Sequence, residues 1–240
     1  MNMNTIYLFD IDGTLTPARQ PMTNEFKVVF TNWCKDKIVY FVTGSDYDKV
    51  CEQVDTETLN KITGVFGSMG NELYVNGIRK YSNNDTIPQY CIDFLTKKLQ
   101  STIYPYEHGT LHFEHRIGML NFSVVGRDIS IETRKKYFEW DSVAKERQSI
   151  ADEFNKLFPE YEAKLGGQIS LDIQRVGKNK AQVVDYLQST YNNCQYIFTG
   201  DRTLPGGNDY DLAHRIVTNS LGIVHQVENP DDVLKLMKTL

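Results

Sequence analysis

The stretch YLFDIDGTLTPARQ, Tyr7–Gln20, drives an apolar run straight into two aspartates one residue apart. Close carboxylates repel each other and lose solvation on burial, so a cation or a reaction is needed to offset the cost. Read outward, the apolar run is the first of several short buried strands. TIYLF (Thr5–Phe9), KIVYFV (Lys37–Val42), GVFG (Gly64–Gly67), QYIFTG (Gln195–Gly200) and LGIVHQV (Leu221–Val227) have that pattern. Thr23 is expected to cap a helix running to about Lys35, and Ser45 another with Asp46 and Asp48 in its first turn. Strands alternating with helices predict an α/β, Rossmann-like fold: a parallel sheet with helices on both faces.

The middle of the chain reads differently. GTLHFEHRIGMLNFSVVGR (Gly109–Arg127) and GGQISLDIQ (Gly166–Gln174) alternate apolar and polar residues, as half-exposed antiparallel strands do. Between them, Ile131 to Phe158 is charged and helix-friendly. This predicts a second α/β domain with an antiparallel sheet at residues 82–174, inserted between core segments 1–81 and 175–240. YSNNDTIP (Tyr81–Pro88) and RVGKNK (Arg175–Lys180) are the expected linkers.

Composition sets the outer bounds. At 240 residues, 40% hydrophobic and 24% charged, the chain is an ordinary globular protein of one large or two modest domains. A net charge of −5 gives no general footprint for nucleic acid, so any anion site must come from local arginines and lysines. Cys34, Cys51, Cys91 and Cys194 lack CxxC or metal-ligand spacing and read mostly as buried thiols in a reducing compartment. His112 and His115 have no third ligand at suitable spacing, so they do not read as a metal pair. The N-terminus is not a signal peptide and no apolar window is long enough for a membrane span; a cytoplasmic location is expected.

In an open parallel sheet, ligands bind beyond the carboxyl ends of the strands. Three of those ends here are polar: Asp10 and Asp12, then Thr43-Gly44-Ser45, then Gly200-Asp201. Asp10 and Asp201 suit a hard divalent cation such as Mg²⁺, which takes oxygen ligands and shares itself with a phosphate. A hydroxyl and a lysine nearby would neutralise transferring phosphoryl oxygens. Asp10 is then a nucleophile able to form an aspartyl-phosphate, and Asp12 is placed to give and take the proton of the oxygen that leaves or attacks. The bland alternative is a strand-to-turn junction with solvated acids; DxDGT after one apolar run and GD after another argue against it.

FDIDGTLT together with GDRTLPGGND (Gly200–Asp209) resembles the haloacid-dehalogenase (HAD) superfamily of phosphotransferases. More narrowly, PARQ, FEHRIGMLNFSVVGR, GGQISLD and TLPGGND resemble, in order, the eukaryotic-type phosphomannomutases. The resemblance spans nearly the whole chain and implies a HAD core with an inserted substrate-binding cap. It implies Asp10 as nucleophile, Asp12 as general acid/base, and Mg²⁺ on the side chains of Asp10 and Asp201 and the carbonyl of Asp12, with Asp209 in support. Lys180 matches the phosphate-stabilising lysine, with Lys178 close enough to compete. Arg116, Arg127 and Arg134 match the clamp for a second, non-reacting phosphate, which guanidinium groups grip bidentately. Arg19, Ser170 and Asp172 match further substrate contacts, the last two sharing one strand face.

The implied reaction interconverts mannose 6-phosphate and mannose 1-phosphate, with a hexose 1,6-bisphosphate as activator, for GDP-mannose synthesis, in a homodimer paired through the cap. Three stretches depart from the family. Thr43 stands where the mutases have glycine and the related sugar phosphatases threonine; either Thr43 or Ser45 is the phosphate-binding hydroxyl. GSMGNELYVNG (Gly67–Gly77) replaces the family's ENG segment. HRIVTN (His214–Asn219) replaces an acidic loop that holds a second cation, so no second structural metal is expected. The runner-up reading is therefore a Mg²⁺-dependent sugar-phosphate phosphatase. A non-catalytic sugar-phosphate-binding protein would be expected to lack one of Asp10, Asp12 and Asp201. Mannose and glucose phosphates differ by one epimeric hydroxyl, and both stay open.

Overall fold

A computed structural model describes residues 3–240. The chain opens with β1 (Asn4–Phe9), α1 (Asn24–Trp33), β2 (Ile38–Val42), α2 (Tyr47–Gln53), α3 (Thr56–Leu59), β3 (Gly64–Gly67), β4 (Glu72–Val75) and β5 (Ile78–Ser82). The middle holds α4 (Gln89–Gln100), β6 (Phe113–Arg116), β7 (Met119–Ser123), α5 (Ile131–Ala144), α6 (Glu146–Leu157), β8 (Tyr161–Gly166) and β9 (Ser170–Arg175). It closes with α7 (Val183–Thr190), β10 (Cys194–Gly200), α8 (Tyr210–Thr218), β11 (Gly222–Gln226) and α9 (Pro230–Leu236). Two compact units result, one of residues 1–83 and 177–240, the other of residues 84–176.

In the first unit the sheet runs β11-β10-β1-β2-β3-β4-β5, parallel as far as β3. The last two strands extend this parallel core as an antiparallel pair. They form a hairpin whose Asn76 and Gly77 both have positive φ, as a two-residue Asn-Gly turn requires. Alternation along β1 supplies both faces: Tyr7 and Phe9 pack with Phe26 and Phe30 of α1 and Val233 of α9, while Ile6 and Leu8 pack with Leu187 of α7 and Ile216 of α8. Helices thus cover both faces, and the carboxyl ends of the strands stay available for a site.

Thr23 caps α1, its hydroxyl accepting from Phe26 N. The expected Ser45 cap is displaced by one residue: Asp46 caps α2, accepting from Lys49 N, because an aspartate is the better acceptor at the positive end of a helix. Tyr81 and Ser82, read as linker, belong to β5. Cys34 and Cys91 are buried, Cys194 is half-buried and Cys51 exposed, and all four are free. No helix among the described residues is long and apolar enough to cross a membrane.

The second unit is a four-stranded antiparallel sheet, β6-β7-β9-β8, with a core that includes Leu95 of α4, Tyr137 of α5, Phe154 of α6 and Leu171 of β9. Its entry into α5 is fixed by Asp128, whose carboxylate accepts from Thr110 Oγ1 (2.6 Å), Thr110 N (2.9 Å) and Leu111 N (3.0 Å). The Thr110 hydroxyl first, then these amides, hold the carboxyl well below the usual range. A depressed carboxylate contributes stability above its unfolded pKa, about 3.9, and loses that contribution as pH falls through the lower folded value. We expect Asp128→Asn to lower the melting temperature at pH 7, and the gap to wild type to shrink in scans below about pH 4. An equal gap at all pH values would contradict the assignment.

Candidate active site

Asp10 follows β1 at its carboxyl end, 3% exposed, with its amide donating to the carbonyl of Thr199 on β10 (3.0 Å). Beyond it the backbone turns sharply, the amides of Thr14, Leu15 and Thr16 all donating to the Ile11 carbonyl. Gly13 has φ +84, and a Cβ there would come within 2.6 Å of an Asp201 carboxylate oxygen, so only glycine lets this turn lie against Asp201.

Lys180 is fully buried, and its ammonium donates to Asp10 Oδ1 (2.5 Å) and Asp209 Oδ1 (2.7 Å). Asp209, equally buried, accepts from Arg202 N through its other oxygen (3.1 Å). Asp10, Asp201 and Asp209 each bring one oxygen to within 4.8 Å of the others. Burial first, countered by Lys180 and reinforced by Asp209 and Asp201, holds the Asp10 carboxyl well above its ordinary value. Asp201 is pushed up to about 6 by burial and then by Asp209. Burial works against the Lys180 charge, but Asp10 and Asp209 outweigh it and raise its pKa. Three carboxylates facing one ammonium leave two negative charges uncompensated. That donor set fits one divalent cation with oxygen ligands, Mg²⁺ above all.

Asp12 is half-buried and points its Oδ1 at two donors, Arg19 N (2.7 Å) and Gln53 Nε2 (2.8 Å). Both keep the carboxylate oriented. Arg19 is exposed and sits at φ +59, so its backbone, rather than its guanidinium, is what Asp12 meets. Thr43 follows β2, almost fully buried, its Oγ1 accepting from Ser45 N (3.1 Å), with Ser45 half-buried beside it. Lys178 is half-buried and interacts electrostatically with Asp185; Asp10 belongs to Lys180.

In the second unit the alternation of the strands places one polar row across the sheet, Glu114–Asn121–Asp172–Lys164 in register. Arg116, ending β6, donates to Glu114 Oε2 (3.1 Å), and Arg127 binds the same carboxylate as well as Asn121 Oδ1. Arg134, on the first turns of α5 and only 9% exposed, donates to the Arg127 carbonyl. Asn121 Nδ2 donates to Asp172 Oδ1 (2.6 Å). The structure therefore gathers Arg116, Arg127, Arg134 and Asp172 into one network. Ser170 lies two residues from Asp172 on the same face, buried, its carbonyl accepting from Arg147.

Asn121, Glu114, Gln53 and Gln182 were not singled out by sequence reasoning. Asn121 had a signal, since Met119, Asn121 and Ser123 alternate onto the face that carries Asp172. The lone glutamines had none.

The eukaryotic phosphomannomutase profile matches residues 26–240. The chain is 34% identical over 244 residues to a probable phosphomannomutase of Caenorhabditis elegans, covering 96% of this chain and 93% of that protein. It is 32% identical over 246 residues to phosphomannomutase 2 of Dictyostelium discoideum, covering 98% and 96%. Among solved structures, a HAD subclass IIB sugar phosphatase superposes with a TM-score of 0.60 at 15% identity, covering 98% of both chains, a likeness of fold. With matches of this length running through both units, the chain belongs to the eukaryotic phosphomannomutase family.

Proposed function

We propose that this enzyme interconverts mannose 6-phosphate and mannose 1-phosphate by phosphoryl transfer through Asp10. The observation that carries the reading is the joint presence of a buried Asp10–Lys180–Asp209 cluster with Asp201 beside it and, in the second unit, three arginines in one polar network. A hydrolase needs to hold only the phosphate it cleaves; a mutase also needs a grip on a second one.

In this scheme Asp10 attacks a phosphoryl group of a hexose 1,6-bisphosphate, the P–O bond to the sugar breaks, and Asp12 delivers a proton to the departing oxygen. Asp12, with one oxygen occupied by Arg19 N and Gln53, has the other for this proton. The aspartyl-phosphate then passes its group to the free hydroxyl of a hexose monophosphate, Asp12 taking that proton back. Lys180 neutralises phosphoryl oxygens while holding Asp10 in line. Asp10, Asp201 and the carbonyl of Asp12 would hold Mg²⁺, with Asp209 supporting, and the ion would supply charge neutralisation for the phosphate. Arg116, Arg127 and Arg134 would grip the non-reacting phosphate, Ser170 and Asp172 the sugar hydroxyls, and Arg19 the substrate as it enters. Thr43 or Ser45 would contact the transferring phosphate. Pairing of two copies through the second unit belongs to the same proposal, supported by Ile131 (87% exposed) and Phe138 (42% exposed) on α5.

The test is phosphorus NMR of the protein with mannose 1-phosphate and Mg²⁺, with and without a hexose 1,6-bisphosphate. Mannose 6-phosphate is expected only with the bisphosphate, with little free phosphate, and EDTA is expected to abolish it. Inorganic phosphate without isomerisation would instead support a phosphatase, the reading that Thr43 favours.

A further inference from the structure

The segment GSMGNELYVNG, where the chain departs from its family, contains three successive residues in the left-handed region: Ser68 (φ +48), Met69 (φ +62) and Gly70 (φ +87). All three are buried, and two are not glycine. Consecutive residues in this sparsely populated region persist only where their surroundings over-determine them, and such strain concentrates at functional sites. Here the surroundings do so. Ser68 Oγ donates to Glu72 Oε1 (3.1 Å), Asn71 Nδ2 to the Ser68 carbonyl (2.7 Å), and Tyr81 OH to the Gly70 carbonyl (2.8 Å). Gly70 itself has no room for a side chain, since a Cβ would lie 2.8 Å from Val183 Cγ1.

The strained turn has two outward connections. On one side its amides hold the loop after β2: Met69 N donates to the Thr43 carbonyl (2.9 Å) and Ser68 N to the Ser45 carbonyl (2.8 Å). On the other, the Met69 carbonyl accepts from Gln182 Nε2 (2.9 Å), which also reaches Asn71 Oδ1 (3.3 Å). Gln182 lies two residues after Lys180 in the same short 3-10 turn. That turn is fixed from its far side by Arg215 of α8, which donates to the Ala181 carbonyl (3.0 Å). An unbroken series of bonds therefore runs from the lysine turn through Gln182 and Met69 to Thr43.

We infer that Gln182 is a positioning residue: through the left-handed turn Ser68–Gly70 it sets the spacing between Lys180 and the Thr43–Ser45 loop, the two groups that close on the transferring phosphate. This rests on the reading of that phosphate site given above. Thr43 and Lys180 come from different elements, and a donor fixed to one and bonded to the backbone that carries the other couples them. Misplacing such groups by about 1 Å costs on the order of 100-fold in rate.

The test compares wild type with Gln182→Ala and Gln182→Glu. Both variants are expected to fold, since Gln182 is half-buried and loses only two hydrogen bonds. Gln182→Ala is expected to lower kcat about 10- to 100-fold, with KM for mannose 1-phosphate nearly unchanged and the melting temperature lower by no more than a few degrees. Gln182→Glu keeps the size but sets a carboxylate against the Met69 carbonyl, and is expected to be no better than alanine. A readout independent of the sugar is orthovanadate binding with Mg²⁺ by calorimetry, expected to weaken about tenfold or more in both variants. Unchanged vanadate affinity, or wild-type kcat in Gln182→Ala, overturns the inference. If wild type isomerises no hexose phosphate while vanadate affinity still drops, the mutase reading fails and the positioning role stands.

Discussion

Asp10→Asn is expected to abolish phosphoryl transfer while leaving the fold intact. A carboxamide oxygen is too weak a nucleophile to form an acyl-phosphate, and removing a nucleophile of this kind lowers turnover on the order of 10⁴-fold or more. The fold survives because asparagine is nearly isosteric and Lys180 keeps its second partner, Asp209. In the absence of divalent cations the variant is even expected to melt no lower than wild type. Asp10 is buried beside Asp201 and Asp209, and its charge is disfavoured there. Two experiments check this. Acid-quenched wild type exposed to a hexose 1,6-bisphosphate should carry a phosphoryl adduct by mass spectrometry, and the variant none; melting curves in EDTA should coincide or favour the variant. An active, adduct-forming Asp10→Asn protein would remove Asp10 from the mechanism.

How far the sequence anticipates this site depends on the range of the interaction concerned. Strand ends are local features, so the placement of Asp10, Asp12, Thr43 and Asp201 at the carboxyl ends of neighbouring strands followed from the parallel topology. The row through Asp172 followed in part from alternation, and Asn121 was available by the same rule. The β4–β5 hairpin carried an explicit signal in Val75-Asn76-Gly77-Ile78, missed because the stretch was read only as a departure from its family. Other features leave no local trace. Gln53 and Gln182 are single polar residues whose partners lie 41 and 113 positions away, and no periodicity encodes that. Lys178 and Lys180 share one linker and identical chemistry. Only the three-dimensional path of the turn decides which of them is buried against the aspartates.

That choice between lysines gives the second large effect. Lys180→Met leaves Asp10 and Asp209 buried without a cation, and breaking a buried ion pair by removing one partner costs about 3–5 kcal/mol. Of the whole stability of a domain, commonly about 5–15 kcal/mol, this is a large share. Lys178→Met, by contrast, alters a half-buried residue outside the cluster and is expected to change stability by no more than about 0.5 kcal/mol. Denaturant titrations in EDTA should separate the two variants cleanly. Repeating them with Mg²⁺ adds a further test, because a cation that binds only the folded cluster stabilises it by about 2.7 kcal/mol at 100 times its Kd. Lys180→Met is therefore expected to regain much of its stability with Mg²⁺ but not its turnover, since in the proposed reaction the ammonium would also neutralise the phosphoryl oxygens at the moment of transfer. Equal losses in both lysine variants would mean that the aspartates do not depend on Lys180. Recovery of turnover along with stability would reduce Lys180 to a counter-charge for the empty cluster.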